Sequence, residues 1–144
     1  EKWGLLRSSV FEQERARAFD LIRRDASFEA FGMDADEQAV ELTRANAKKA
    51  GISARIRLKC APIAEFTPPG ERTVVVTNPP YGERMLEIKQ AQAIYRSMGE
   101  RFTGDGRYYI ISPDEEFERY FGRKAVKRRK LYNGMLRCQY YMYY

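Results

Sequence analysis

The run Thr73-Val74-Val75-Val76-Thr77 constrains the fold more than any other segment of the chain. Every position is β-branched, which stiffens χ1, disfavours a helix and suits a pleated strand. Because apolar residues do not alternate with polar ones, the run predicts a strand covered on both faces in a mainly parallel sheet. It leads straight into Asn78-Pro79-Pro80-Tyr81. Two prolines without N–H groups cannot continue a ladder, so the strand ends at Asn78. Upstream, residues 54–60 set Ile56, Leu58 and Cys60 against Arg55, Arg57 and Lys59, the period-two pattern of a strand with one wet face.

The remaining segments alternate in type. Ser9 and Glu12 have the spacing of a capping box, and Phe11, Ala18 and Ile22 follow on one helical face to about Arg24. Residues 26–33 read as a short strand, and Asp34-Ala35-Asp36 as an acidic turn. A second helix begins there, with Ala39, Val40, Leu42, Thr43, Ala47 and Ala50 inward, Lys48 and Lys49 in the last turn and Gly51 as its cap. Beyond the proline turn, Ile94, Tyr95, Met98 and Phe102 mark one face of a helix that Gly104 stops. Residues 107–111 form a strand ended by Ser112-Pro113, and residues 114–121 a short helix. Residues 125–132 and 135–143 then flank Asn133-Gly134 as a hairpin. Strand and helix alternate throughout, so 144 residues with 44% apolar content are expected to make one α/β domain.

Composition excludes several chemistries. Histidine is absent, which removes Ser-His, Cys-His and His-metal catalysis. Cys60 and Cys138 lie far apart without CxxC or Cys/His companions, so buried thiols are expected in place of a disulfide or metal site. No apolar run reaches the ~18 residues of a membrane span and nothing resembles a signal peptide, so the expected location is the cytoplasm. A formal net charge of +6 suits an anionic partner such as nucleic acid.

In an open parallel sheet, ligands lie beyond the carboxyl ends of the strands, where Asp34, Asn78 and Ser112 are expected to gather. Asn78 offers an amide oxygen there, and Pro79 and Pro80 leave carbonyl oxygens with no N–H alongside. An exocyclic amine on a base donates two hydrogens. Bonds to the Asn78 side chain and the Pro79 carbonyl would hold its lone pair toward an electrophilic methyl group. Tyr81 can stack on the base, an interaction of ~1–3 kcal/mol. Asn and Pro are also ordinary turn residues. What favours a site is their place after an all-β-branched strand and downstream of a strand-acid-helix unit.

The heptad of residues Asn78-Pro79-Pro80-Tyr81-Gly82-Glu83-Arg84 resembles the target-base motif of amino methyltransferases, in the form seen in bacterial 23S ribosomal RNA guanine-N2 methyltransferases. These were long labelled N6-adenine-specific DNA methylases. Matches extend from Glu1-Lys2-Trp3 through Gly32-Met33-Asp34-Ala35-Asp36 and Asn46-Ala47-Lys48-Lys49-Ala50-Gly51 to the segment from Lys127 to Met135. The resemblance implies a Rossmann-like class I fold, mainly parallel with a C-terminal antiparallel hairpin, using S-adenosylmethionine to methylate guanine N2 in 23S ribosomal RNA. N6 methylation of adenine in DNA or RNA is the alternative within enzymes, and a non-catalytic RNA-binding fragment the alternative outside them. By the same resemblance Asp34 binds the cofactor ribose, and Asn78 lies beside both cofactor and base. Cys60-Ala61-Pro62 stands where relatives place an acidic residue that reads the adenine amine, which leaves a backbone amide at Ala61, or Glu65, for that role.

One family feature is absent from these residues: a strand followed by an Asp-Pro-x-Cys-Gly-Ser-Gly turn, central in the sheet between the strands ending at Asp34 and Asn78. Residues 1–144 are therefore expected to be part of a methyltransferase domain, without the amino-terminal THUMP region, whose sheet lacks its middle. The upstream segment of the same polypeptide, whether separate, cleaved or disordered, is the expected partner, and the isolated residues are expected to bind S-adenosylmethionine poorly. Arg123, Lys124, Lys127, Arg128, Arg129 and Lys130 place six cations in eight residues, suited to RNA phosphate or to blunting an exposed sheet edge. Arg84, beside the turn, is the better placed phosphate ligand unless it pairs with Glu83 or Glu87.

Overall fold

The computed structural model describes residues 7–25, 27, 29–82 and 85–144. The chain divides into two compact units, Glu1–Ala30 and Phe31–Tyr144. The first contains helix α1 (Ser8–Asp20), none of whose residues is buried. Its N-cap is Arg7, with no side-chain cap. The Ser9–Glu12 capping box does not form, because the helix has already started before Ser9. The helix also stops at Asp20, short of Arg24.

Strand β1 (Ala30–Asp34) leads through Asp36 into α2 (Glu37–Lys49). The Asp36 carboxylate accepts from the Gln38 N–H at 2.8 Å, satisfying one of the orphan donors of the first turn. Val40 and Ala47 are buried, whereas Leu42 is 64% exposed. Two residues separate Leu42 from Val40, a rotation of ~200° about the helix, so one face cannot hold both. Thr43 is likewise exposed and bonds back to the Ala39 carbonyl at 2.8 Å. Strand β2 (Ile56–Cys60) pairs with β1 and alternates as expected, except that Cys60 is exposed; only Cys138 is a buried thiol.

A second sheet has the order β3-β4-β6-β5, from β3 (Val74–Thr77), β4 (Arg107–Ser112), β5 (Lys127–Asn133) and β6 (Leu136–Tyr143). β3 and β4 are parallel, while β6 runs antiparallel to both β4 and β5. On one face, Tyr108 and Ile110 of β4 and Tyr141 and Tyr143 of β6 meet Ala91, Tyr95, Met98 and Phe102 of α3 (Met85–Arg101) and Phe117 and Phe121 of α4 (Phe117–Phe121). The packing is largely ring on ring, with Phe102 stacked on Tyr108 at 4.8 Å and Phe117 tilted against Tyr141 at 4.6 Å. Burial pushes the Tyr141 hydroxyl up to about 12.

The other face is thinly covered. Val75 packs on the core, but Val74 is 58% and Val76 72% exposed. The expectation that β3 is covered on both faces therefore fails. A parallel strand needs a layer on each side, and among the described residues only one side has it. Between the β1–β2 pair and β3 lies a cavity of about 450 Å³, lined by Phe31, Gly32 and Met33 on one side and Val75, Val76 and Thr77 on the other. Among the described residues, β1 and β3 each have a single paired neighbour. At the hairpin, Asn133 pairs with Leu136, making Gly134-Met135 the loop. Only Gly134 of the two has positive φ (+61°), the pattern of a type II′ turn, so Asn133 ends the strand and does not share the turn with Gly134 as the sequence suggested. No helix among the described residues is long and apolar enough to cross a membrane.

Candidate active site

Because Thr77 lies opposite Ile110 in the parallel pair, Asn78 and the Ser112-Pro113 turn leave the sheet at the same end. Gln139 of β6 pairs with Ser112, so Leu136, Arg137 and Cys138 carry the hairpin beyond that end, by ~10 Å at about 3.3 Å per residue. The hairpin turn thus reaches the residues that follow Asn78.

The four residues of the turn differ in exposure: Asn78 and Pro80 are exposed, Tyr81 is half-buried and Pro79 is buried. The Tyr81 hydroxyl donates to Asn78 Oδ1, and Asn133 Nδ2 donates to the same hydroxyl at 3.4 Å. Burial raises the Tyr81 pKa, partly countered by its bond to Asn133, so the ring is neutral at ordinary pH. From the core, Tyr95 Oη donates to the Pro80 carbonyl at 3.1 Å. Ser112, fully buried, donates to Tyr95 Oη at 3.3 Å and accepts from the Asp114 N–H at 3.1 Å. The buried polar groups are thereby satisfied while fixing the turn. Pro80 is spoken for, and among the described residues no donor reaches the Pro79 carbonyl. Of the acceptor pair expected from the sequence, Asn78 Oδ1 is engaged by the Tyr81 hydroxyl and the Pro79 carbonyl has no donor among the described residues.

Gly82 explains how the chain turns away. Its φ is +71°, and a Cβ there would lie 2.5 Å from the Glu87 carbonyl carbon and from Ile88 N. Only glycine lets the turn pass so close to the first turn of α3.

Asp34 sits exposed at the end of β1 with Oδ1 accepting from the Asp36 N–H at 2.9 Å. A carboxylate keeps further acceptor capacity after one such bond, which fits a pair of ribose hydroxyls. Met33 and Thr77, which immediately precede Asp34 and Asn78, line the same cavity. The Ala61 amide, expected to face a ligand, instead donates to the Asp34 carbonyl at 2.9 Å and ties the ends of β1 and β2 together. Glu65 pairs with Lys59 at 3.0 Å.

The basic run divides. All of β5 is exposed. Arg128 pairs with Glu118 at 2.7 Å, and Arg123 donates to the Phe102 carbonyl with its guanidinium 5.2 Å from the Phe121 ring centre. Lys130 lies over the Tyr132 ring at 5.2 Å. Lys127 and Arg129 have no ion pair among the described residues and are the cations most available to phosphate. Arg84 and Glu83 lie outside the described residues.

Residues 2–142 match the family described as RMKL-like, methyltransferase domain. The chain belongs to this family. It is 34% identical to "Putative RNA methyltransferase YpsC" of Bacillus subtilis (strain 168), over all of this chain and 38% of that protein. It is 32% identical to "Ribosomal RNA large subunit methyltransferase K/L" of Shewanella baltica (strain OS185), over 93% of this chain and 19% of that one. The solved structure of "SMU.472, a putative methyltransferase complexed with SAH" superposes with a TM-score of 0.86 at 35% identity, covering all of this chain and 39% of that one. The chain thus spans well under half the length of these relatives. Its fold is the Rossmann-like class I methyltransferase fold. For an RMKL-like methyltransferase domain, sequence reading marked the base motif but not Tyr95, Asn133 or Gly82. Tyr95 was visible only as a core position, Asn133 only as a turn residue and Gly82 only as a letter of the motif.

Proposed function

We propose that these residues form the base-holding part of an enzyme that transfers a methyl group from S-adenosylmethionine to the N2 amine of a guanine in 23S ribosomal RNA. One observation carries the reading: Asn78 Oδ1, bonded to the neutral Tyr81 hydroxyl, and the Pro79 carbonyl, which no donor reaches among the described residues, are acceptors on consecutive residues at the end of β3. Two acceptors suit an amine that donates two hydrogens and leave its lone pair free to attack. When bound, S-adenosylmethionine supplies the electrophilic methyl group, and Asp34 would hold its ribose hydroxyls. The Tyr81 ring would stack on the base, with Lys127, Arg129 and Arg84 toward RNA phosphate. No side chain need remove a proton first, because the alkylated nitrogen is acidic and releases its proton to water at exposed Asn78. The names of the K/L relatives support a large-subunit ribosomal RNA substrate, the SAH-bound relative supports the cofactor, and a cytoplasmic location would suit such a substrate.

The open edges of β1 and β3 support a second part of the reading. A strand from an upstream segment of the same polypeptide would pair with both and fill the cavity lined by Phe31 and Val76. Its carboxyl end would then complete the cofactor site between Asp34 and Asn78. Nucleoside mass spectrometry after reaction of the full-length gene product with ribosomal RNA and with duplex DNA tests the assignment. N2-methylguanosine in the RNA is expected; N6-methyladenosine in either substrate would overturn the guanine assignment.

A further inference from the structure

The Tyr81 hydroxyl stands between side chains from two distant parts of the chain. It donates to Asn78 Oδ1, three residues back, and accepts from Asn133 Nδ2, 52 residues ahead. The first of these bonds uses the acceptor that an exocyclic amine needs. The phenol thus stands where a base N–H would bond. When a base arrives, its amine displaces the phenol hydrogen, and Tyr81 loses its tie to the turn.

Asn133 is placed to hold the ring at that moment. It is the last residue of β5, paired with Leu136, so the ladder fixes its backbone. Leu131 and Cys138 form the next pair on the same sheet face, and Cys138 is 1% exposed with its thiol donating to the Leu136 carbonyl at 3.6 Å. The phenol therefore meets the hairpin through one polar group on a strand end held by the ladder. At 3.4 Å the Asn133 bond is long while Asn78 draws the hydroxyl the other way, and it can shorten once that pull is released.

We propose that Asn133 is a positioning residue, holding the Tyr81 hydroxyl so that the ring stays in place against the base while Asn78 exchanges its bond with Tyr81 for one with the base amine. The proposal rests on the reading that Asn78 receives an exocyclic amine.

A double-mutant cycle in the full-length gene product tests it, with methyl transfer to 23S ribosomal RNA as the readout. Asn133→Ala is expected to lower kcat/KM about 5-fold, the scale of one neutral hydrogen bond. In a Tyr81→Phe background, which keeps the ring but removes the hydroxyl, Asn133→Ala is expected to have no further effect. Tyr81→Phe alone is expected to lower KM for RNA, since the competing bond to Asn78 is gone, and to lower kcat because the ring is no longer tethered. Equal losses from Asn133→Ala in both backgrounds, or no loss in the parent, overturn the proposal while leaving the methyltransferase reading intact. Absence of amine methylation by the parent enzyme overturns that reading and the proposal with it.

Discussion

The two sheets of the Phe31–Tyr144 unit are built to different standards of completeness. Around β3, β4, β6 and β5, aromatic rings from two strands and two helices close a core in which Tyr95, Phe102, Ile110 and Phe117 are wholly buried. That core reaches directly to the proline turn through Ser112 and Tyr95. Around β1 and β2, burial is limited to Val40 and Ala47 on α2 and Ala61 beyond β2, and Phe31 stands 51% exposed toward an open cavity. The half that would hold a base is supported from its own residues. The half that would hold a methyl donor offers one carboxylate at the end of β1. On the proposed reading, recognition of the base and binding of the donor would be separable.

The largest test of that separation is cofactor binding. Calorimetric titration of residues 1–144 with S-adenosylmethionine should show no saturable heat at micromolar concentration, whereas the full-length gene product should bind in the micromolar range. The gap corresponds to at least ~4 kcal/mol if the short form binds no better than about 1 mM. Micromolar affinity in residues 1–144 would break the comparison. Next in size, Asn78→Ala in the full-length gene product should lower kcat by about 10²-fold, comparable to losing one preorganised bond at a reacting group. The dissociation constant for S-adenosylmethionine should move little; a large weakening would mean that Asn78 serves the donor half instead. Third, Phe102→Ala removes a fully buried ring against Tyr108 and Phe66 and should cost ~3–5 kcal/mol of unfolding free energy by denaturant titration. Leu42→Ala on exposed α2 surface should stay within about 0.5 kcal/mol, and a comparable loss at both sites would refute the difference in packing.

Much of this contrast was legible in the sequence, and the failures are instructive. Residues 73–77 and the prolines after them announced both a strand and its end, because β-branching and missing N–H groups act locally. Tyr95, Met98 and Phe102 were found on one helical face for the same reason. Burial was read less well, since it depends on what else packs against a segment. Val74 and Val76 looked like core residues of a doubly covered strand and face open space. Cys60 looked buried and is exposed. Ser9 and Glu12 had capping spacing, but spacing does not determine where a helix begins. At the site, Asn78 to Tyr81 could be read from contiguous residues. Asn133 and Tyr95 could not, because their partners lie 52 and 15 residues away and only the fold brings them together.

Tyr95 gives the smallest effect and the finest division between structure and function. Its ring lies in the core against Phe117 at 4.9 Å, while its hydroxyl reaches the Pro80 carbonyl. Tyr95→Phe keeps the ring and removes only the hydroxyl. Ser112 then loses its acceptor and the Pro80 carbonyl its donor, so stability should fall by about 1 kcal/mol. If the hydroxyl merely completes the core, kcat should be unchanged at a temperature where the protein is fully folded. If it sets the orientation of the turn, kcat should fall about 5-fold, again the scale of one hydrogen bond, with the affinity for S-adenosylmethionine preserved. The second outcome is expected, because Pro80 follows directly on the residue whose carbonyl would orient the amine, and a rotation of one peptide plane moves its neighbour. Measuring kcat and donor affinity on the same preparation decides it: a fall in both would place Tyr95 in the support of the whole site and not of the base-holding half alone.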